Sequence, residues 1–241
     1  MSFVISVYTR EGIVMAADSR ITFNMERTNG GTTIQHVAVG ISDANRKLFR
    51  TAAGIGISVY GAAAVGGIPI AGYIDSFLEQ IDSEKKPPAP HAVAHKLNEY
   101  FQEFESVPET QFHVAGYHTG TAPPDPQVWH VDLKHNSVQQ KNPEDKQGAT
   151  WGGEADIITR LLAPVATLAS PGVIQSELPY QRIPFEFFTL QDAIDFSIFA
   201  VRSTIEAIRF MPRPKTVGGP IDILAITPKD SRWIQHKELH A

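Results

Sequence analysis

The chain is predicted to be α+β, and three observations carry that prediction. Strand-like segments come in adjacent runs that suit antiparallel pairing. Helix-like segments come in two pairs, so strands and helices do not alternate one by one as a parallel sheet requires. An uncharged stretch from Ala52 to Ile74 points to a dry centre. Two sheets face to face with helices on both outer sides fit this order. A single domain over residues 1–241 is expected, because no linker interrupts the pattern.

Ser2 to Tyr8 is β-branched and aromatic and reads as a strand. Arg10-Glu11-Gly12 turns the chain into a second strand, Ile13 to Ala17, which ends at Asp18-Ser19-Arg20. Asn29-Gly30-Gly31 predicts a turn before a strand from Thr32 to Val39. Lys47 to Thr51 and Ile55 to Tyr60 form a hairpin around Gly54. Within the uncharged stretch, Gly56 to Tyr60 reads as a buried strand and the remainder as a core helix. The length alone would span a bilayer, but six glycines, Pro69, few large aliphatic residues and no positive bias between the flanks argue against that.

Two helices are predicted next. Ile70 to Glu84 carries Ile70, Ile74, Phe77, Leu78 and Ile81 on one face, and His91 to Glu105 carries Val93, Leu97, Tyr100, Phe101 and Phe104. A proline-rich turn at 85–90 joins them into a layer. Strands return at Phe112 to His118, Val128 to Leu133, Ser137 to Lys141 and Ala149 to Trp151. Glu154 to Leu162 is helical, and Pro164 to Phe188 is expected to be irregular. Thr189 caps a long helix whose buried stripe is Ile194, Ile198, Val201, Ile205 and Ile208, stopped by Pro212. Ile221 to Thr227 is a strand, with a last one at Trp233 to His236.

Composition excludes several classes. Of 241 residues, 42% are hydrophobic and 20% charged, the balance of an ordinary globular protein. Lys and Arg number 21 against 26 Asp and Glu, a net charge of −5, so the basic footprint of a nucleic-acid binder is missing. There is no cysteine, which removes disulfides, thiolate nucleophiles and Cys-based zinc sites and fits a cytoplasmic protein. The opening MSFVISVYTREG lacks a basic n-region and cleavage site, so no signal peptide is expected.

Ser2 stands at the head of the first strand, preceded only by Met1. Removal of a methionine before a small residue leaves a hydroxyl and a free α-amine on one residue, a nucleophile with its own base. A strand that begins at once would seat it rigidly. Most chains that begin Met-Ser have an inert first residue, and that is the plain alternative. Such a nucleophile needs a nearby cation, which Lys47 can supply, and a buried Lys47 needs a carboxylate, which Asp18 can supply. The plain alternative for both is a surface ion pair. Gly31-Thr32-Thr33-Ile34 resembles a site for release of a catalytic threonine, but choosing it discards the hairpin before it. His91 and His95 sit one helical turn apart with no third ligand, so no metal site is expected. No P-loop or dinucleotide pattern is present, and no cofactor is expected.

The segment GIVMAADSR, Gly12 to Arg20, resembles the second-strand signature of proteasome β-type subunits, which are N-terminal nucleophile (Ntn) hydrolases. The separation from Ser2 to Asp18 matches that family's distance from nucleophile to its AAD aspartate. NRKLF sets Lys47 where the family's lysine opens a strand, and Gly61 in SVYGAAA falls where the family's oxyanion-hole glycine lies. A paired helix layer, Gly116-Tyr117-His118, Gly152-Gly153 and VGGPIDILAI extend the likeness over roughly residues 2 to 227. The resemblance implies a four-layer αββα sandwich and a proteasome-like peptidase or amidohydrolase. It makes Ser2, Asp18, Lys47 and Gly61 catalytic, Arg20 supporting, and Ile21, Val59 and Ala63 the lining of a small apolar substrate pocket. It implies a peptide or unfolded-protein substrate, a homo-oligomeric ring stacked through helix layers, and an ATPase partner of unknown identity. Membrane and nucleic acid are not expected partners. The chain departs from the family in using serine for threonine, in Gly152 where a supporting serine stands, and in Arg213 to Val217 where an Asp and a Ser are expected. Some eleven to thirteen extra residues lie between Arg20 and Lys47. The alternative is a catalytically silent subunit of the same fold, with Met1 retained, that serves only as a structural ring.

Overall fold

The computed structural model describes residues 2–29 and 32–238. The chain opens with β1 (Phe3–Tyr8) and β2 (Ile13–Asp18), then β3 (Ile21–Asn29) and β4 (Thr32–Ser42). β5 (Leu48–Arg50), β6 (Gly56–Gly61), β7 (Ala64–Val65) and β8 (Ile68–Pro69) follow, then α1 (Ile70–Asp82) and α2 (Pro90–Gln102). Next come β9 (Thr110–His118), β10 (Asp125–Asp132), β11 (Ser137–Gln140) and β12 (Gly148–Gly153). The chain continues through α3 (Asp156–Leu162), β13 (Ala166–Ser170), β14 (Val173–Glu177), α4 (Leu190–Phe210), β15 (Ile221–Ile226) and β16 (Ser231–Gln235). The fold is mixed α+β.

Two five-stranded antiparallel sheets organise it. The first runs β12-β1-β2-β15-β16 and the second β11-β10-β9-β6-β5. Alternation along the strands sorts the core. Phe3, Ile5 and Val7 of β1, with Val14 and Ala16 of β2, pack on Ile157 and Ile158 of α3 and on α4. Their neighbours Val4, Ile13, Met15 and Ala17 join Leu48, Ala115 and Val128 of the second sheet. The far face of that sheet, through Ile57, Val59, Phe112 and Val114, packs on α1 and α2. β1 and β2 are thus buried on both faces, which is why they read as near-continuous apolar runs.

Thr189 caps α4 as predicted, accepting from the Asp192 N–H while the Asp192 carboxylate accepts from the Thr189 N–H. Ile194, Val201 and Ile208 of the predicted stripe are buried, and the stripe is broader than predicted on its small-residue side. Ala193, Ser197, Ala200 and Thr204 are fully buried, whereas Ile198 and Ile205 are only partly so. Ile198 and Ile205 pack at the margin of the same cluster.

Three expectations are corrected. β3 was not foreseen, and it pairs with a β4 longer than predicted, so the extra residues after Arg20 form a long hairpin. The predicted turn at Gly30-Gly31 lies outside the described residues, as does Gly31 of the alternative release site. Residues 61–69 are not a core helix. They carry the short β7–β8 pair, with Gly66 and Gly67 at positive φ and Ile68 and Pro69 exposed. Residues 164–188, expected to be irregular, contain the β13–β14 hairpin.

One interior group sets an acid limit on stability. His113 of β9 is completely buried between the sheets, its Nδ1 3.4 Å from the Ser6 hydroxyl. Burial, chiefly, with lesser repulsion from His130 and Lys141, pushes it down to about 3. The unfolded chain therefore takes up a proton near pH 6.5 that the folded chain refuses until about pH 3. Stability falls as pH drops through that window, by up to about 1.4 kcal/mol per pH unit from this group. His113→Gln is expected to flatten the decline in urea-unfolding free energy between pH 6 and 4. Equal slopes in both proteins would contradict this origin.

Candidate active site

Asp18 is the last residue of β2 and is wholly buried. Its Oδ1 accepts from the Phe3 N–H at 2.9 Å and from Lys47 Nζ at 2.7 Å. Its Oδ2 accepts from the N–H groups of Arg20 at 3.1 Å and Gly218 at 3.0 Å. The register explains the crowding. Asp18 lies beside Ile221 at the entry to β15, and its neighbour Ala17 lies beside Val4 of β1. Lys47 comes from the other sheet, immediately before β5, and its carbonyl accepts from the Val59 N–H at 2.9 Å. The Lys47–Asp18 pair therefore bridges the two sheets at one end, and with 2% of the lysine side chain exposed it is fully desolvated. Burial holds the Lys47 ammonium below its ordinary pKa; Asp18 opposes that, Lys237 adds to it, and Asp43 opposes it more weakly.

At this end a narrow cleft is lined by Ser2, Arg20, Ile21, Lys47, Val59, Gly61 and Ala63, with Asp18 behind Lys47. The eight residues singled out in the sequence thus converge, although they come from four separate stretches of chain. Ser2 is 6% exposed, and its carbonyl accepts from the Glu154 N–H at 2.7 Å. Two glycines permit the geometry. Gly61 has φ of 106°, and a Cβ there would lie 2.4 Å from the Glu109 carbonyl oxygen. Gly153 has φ of 88°, and a Cβ there would lie 1.8 Å from the Ser2 carbonyl oxygen.

Several groups escaped the sequence reading. Asp43, in the long insertion, receives the Arg20 guanidinium on both oxygens, at 2.6 and 2.7 Å. That fork holds the Asp43 carboxyl below its usual range and fixes the Arg20 guanidinium against it. The stretch 213–217 is not bare of polar partners. The buried Thr216 hydroxyl donates to Glu154 Oε1 at 2.8 Å, and Arg213 grips Glu154 Oε2 and Asp156. Glu154 directly follows Gly152-Gly153, the one hint in the sequence that a polar group stands there.

Gly152, where the resemblance expects a serine, is filled by a neighbour. A Cβ on residue 152 would lie 2.1 Å from Cζ of Tyr60. The Tyr60 hydroxyl is anchored by Gln111 Oε1 and His130 Nε2, both at 3.0 Å. Gly152→Ser is expected to cost about 3 kcal/mol, the upper part of the usual overpacking range. In a Tyr60→Ala background the same substitution is expected to cost less than about 1 kcal/mol. Equal costs in the two backgrounds, from urea unfolding, would contradict the clash.

Larger depressions lie at the opposite end of the sheets, lined by Ala53, Ile55, Tyr117 and Thr119 with neighbouring loops, and they hold none of these residues. His91 and His95 both pack near Trp129. Among the described residues no group of three or more His, Asp or Glu is disposed to hold a metal, and no helix is long and apolar enough to cross a membrane. No protein-family model and no curated protein matches the chain.

Proposed function

We propose that the chain is an N-terminal-nucleophile hydrolase of peptide or amide bonds, similar to proteasome β-type subunits and built as a four-layer αββα sandwich. The packing of α1 and α2 on one sheet and of α3 and α4 on the other, with an apolar cluster between the sheets, supports the layered reading. The observation that carries the function is the Asp18 carboxylate. It ties the Phe3 N–H, next to Ser2, to the Lys47 ammonium, beneath a cleft that Ser2 and Gly61 line.

After removal of Met1, the α-amine of Ser2, with a pKa of about 7.7–8.0 in its free form, takes the hydroxyl proton through a water. Ser2 Oγ attacks the substrate carbonyl carbon. The oxyanion that forms is held by the Gly61 N–H, an interaction of about 3 kcal/mol in comparable sites. Collapse of the tetrahedral intermediate breaks the C–N bond, and the amine leaves with the proton from the Ser2 amine. Water then cleaves the ester, releasing the acid and restoring the Ser2 hydroxyl. Lys47 favours the developing alkoxide, Asp18 holds Lys47, and Arg20 braces the loop through Asp43. Ile21, Val59 and Ala63 favour a small apolar residue before the cut.

A homo-oligomeric ring in the cytoplasm, acting on unfolded protein, completes the proposal. Phe199 and Phe210 of α4 and Phe187 just before it are exposed and support burial of this layer against another copy. The function is tested by peptide hydrolysis with wild type and Ser2→Ala side by side. Equal rates would overturn it and leave the silent-ring alternative.

A further inference from the structure

The segment after β16 sends one side chain under the proposed centre. Lys237 Nζ lies 2.8 Å from Ser19 Oγ, 2.7 Å from the Asn45 carbonyl oxygen and 2.8 Å from Asp222 Oδ2. Its side chain is only 13% exposed, and Asp222 is 1% exposed. The Lys237 N–H also donates to Asp222 Oδ1 at 2.8 Å, and His236 Nδ1 stands 3.3 Å from that oxygen.

These partners are not incidental. Ser19 follows Asp18, and Asn45 precedes Lys47 by two residues. The Asn45 N–H already donates to the Ser19 carbonyl at 3.1 Å. The Lys237 ammonium therefore ties the side chain of the residue after Asp18 to the backbone two residues before Lys47. A lysine held only for solubility would extend into water; this one gives up its rotamer freedom and hydration for three acceptors.

We propose that Lys237 is a positioning residue for the Ser2–Lys47–Asp18 centre, clamping the Ser19 hydroxyl to the Asn45 carbonyl and setting the electrostatic surroundings of Lys47. The inference rests on the hydrolase reading for its catalytic consequence, but not for its physical content. The charged groups that act on Lys47 are Asp18 and Asp43, which favour its ammonium, and Lys237, which disfavours it. Arg20 is engaged by Asp43, and Asp222 and His236 stand behind Lys237. Neutralising Lys237 removes a like charge and leaves the buried Asp222 less compensated. Both changes make Lys47 hold its proton to higher pH.

The test uses the full chain with 13Cε-labelled lysine, titrated by NMR. In Lys237→Gln the Lys47 midpoint is expected to rise by about one pH unit, whereas Lys237→Arg keeps it within a few tenths of wild type. The alkaline limb of kcat/KM for peptide cleavage is expected to move with it, because Lys47 acts as a cation. An unmoved Lys47 midpoint in a folded Lys237→Gln protein overturns the inference. Should that variant fail to fold, wild type decides. A buried ammonium with three acceptors gives a Lys237 NζH3 signal protected from solvent exchange, and a freely exchanging Lys237 overturns the inference. A shifted midpoint with no cleavage in either protein overturns the hydrolase reading and leaves the coupling in place.

Discussion

Ser2→Ala is expected to lower peptide hydrolysis by about a thousandfold or more while leaving the fold intact. Alanine keeps the α-amine, the strand start and the carbonyl that accepts from Glu154, and removes only the attacking oxygen. Without it no ester can form, and the remaining groups offer only orientation and an oxyanion donor to water. Stability should change by less than about 1 kcal/mol, because one hydroxyl at the cleft wall is lost and no large apolar group is removed. Ser2→Thr is the informative companion. It retains the hydroxyl and adds a methyl, so it is expected to keep measurable activity. A Ser2→Ala protein as active as wild type would assign the chemistry elsewhere.

Asp18→Ala is expected to produce the largest loss of stability from a single side chain at the site, about 3–5 kcal/mol by urea unfolding. The reason lies in what is left behind. The carboxylate serves three backbone N–H groups and the Lys47 ammonium, the latter with almost no side-chain exposure. Truncation strands a 2%-exposed cation and three donors at once. Asp18→Asn keeps the shape and one acceptor, so its cost should be smaller. It also withdraws the charge that opposes the burial effect on Lys47, so the Lys47 midpoint is expected to fall. A cost under about 1 kcal/mol for Asp18→Ala would mean that water reaches this carboxylate.

The parts of the fold that were legible in the sequence are those in which local pattern and burial agree. β1, β2, β6, α1, α2 and α4 announce themselves because each buries a face or both faces, and apolar spacing follows directly from that. β3 and the β13–β14 hairpin do not, because neither belongs to the two five-stranded sheets and β14 is exposed along its whole length, leaving no apolar period to read. The same divide runs through the site. Asp18, Lys47 and Gly61 were legible through motif and spacing. Asp43, Glu154, Thr216 and Lys237 were not, because their significance lies in partners between 23 and 218 residues away. Gly152 looked like a lost serine. Only the packed structure gives the reason for it, a tyrosine ring in the space a side chain would need.

The central claim is that a hydroxyl and an amine on residue 2 form the reactive centre over Lys47. It is tested most directly by treating natively expressed protein with an electrophilic peptide β-lactone and mapping the adduct by tandem mass spectrometry. The account predicts one acyl group, esterified to Ser2 at the amino end of a chain that has lost Met1. An adduct on any other residue, or a chain that retains Met1 and resists the reagent, would contradict it.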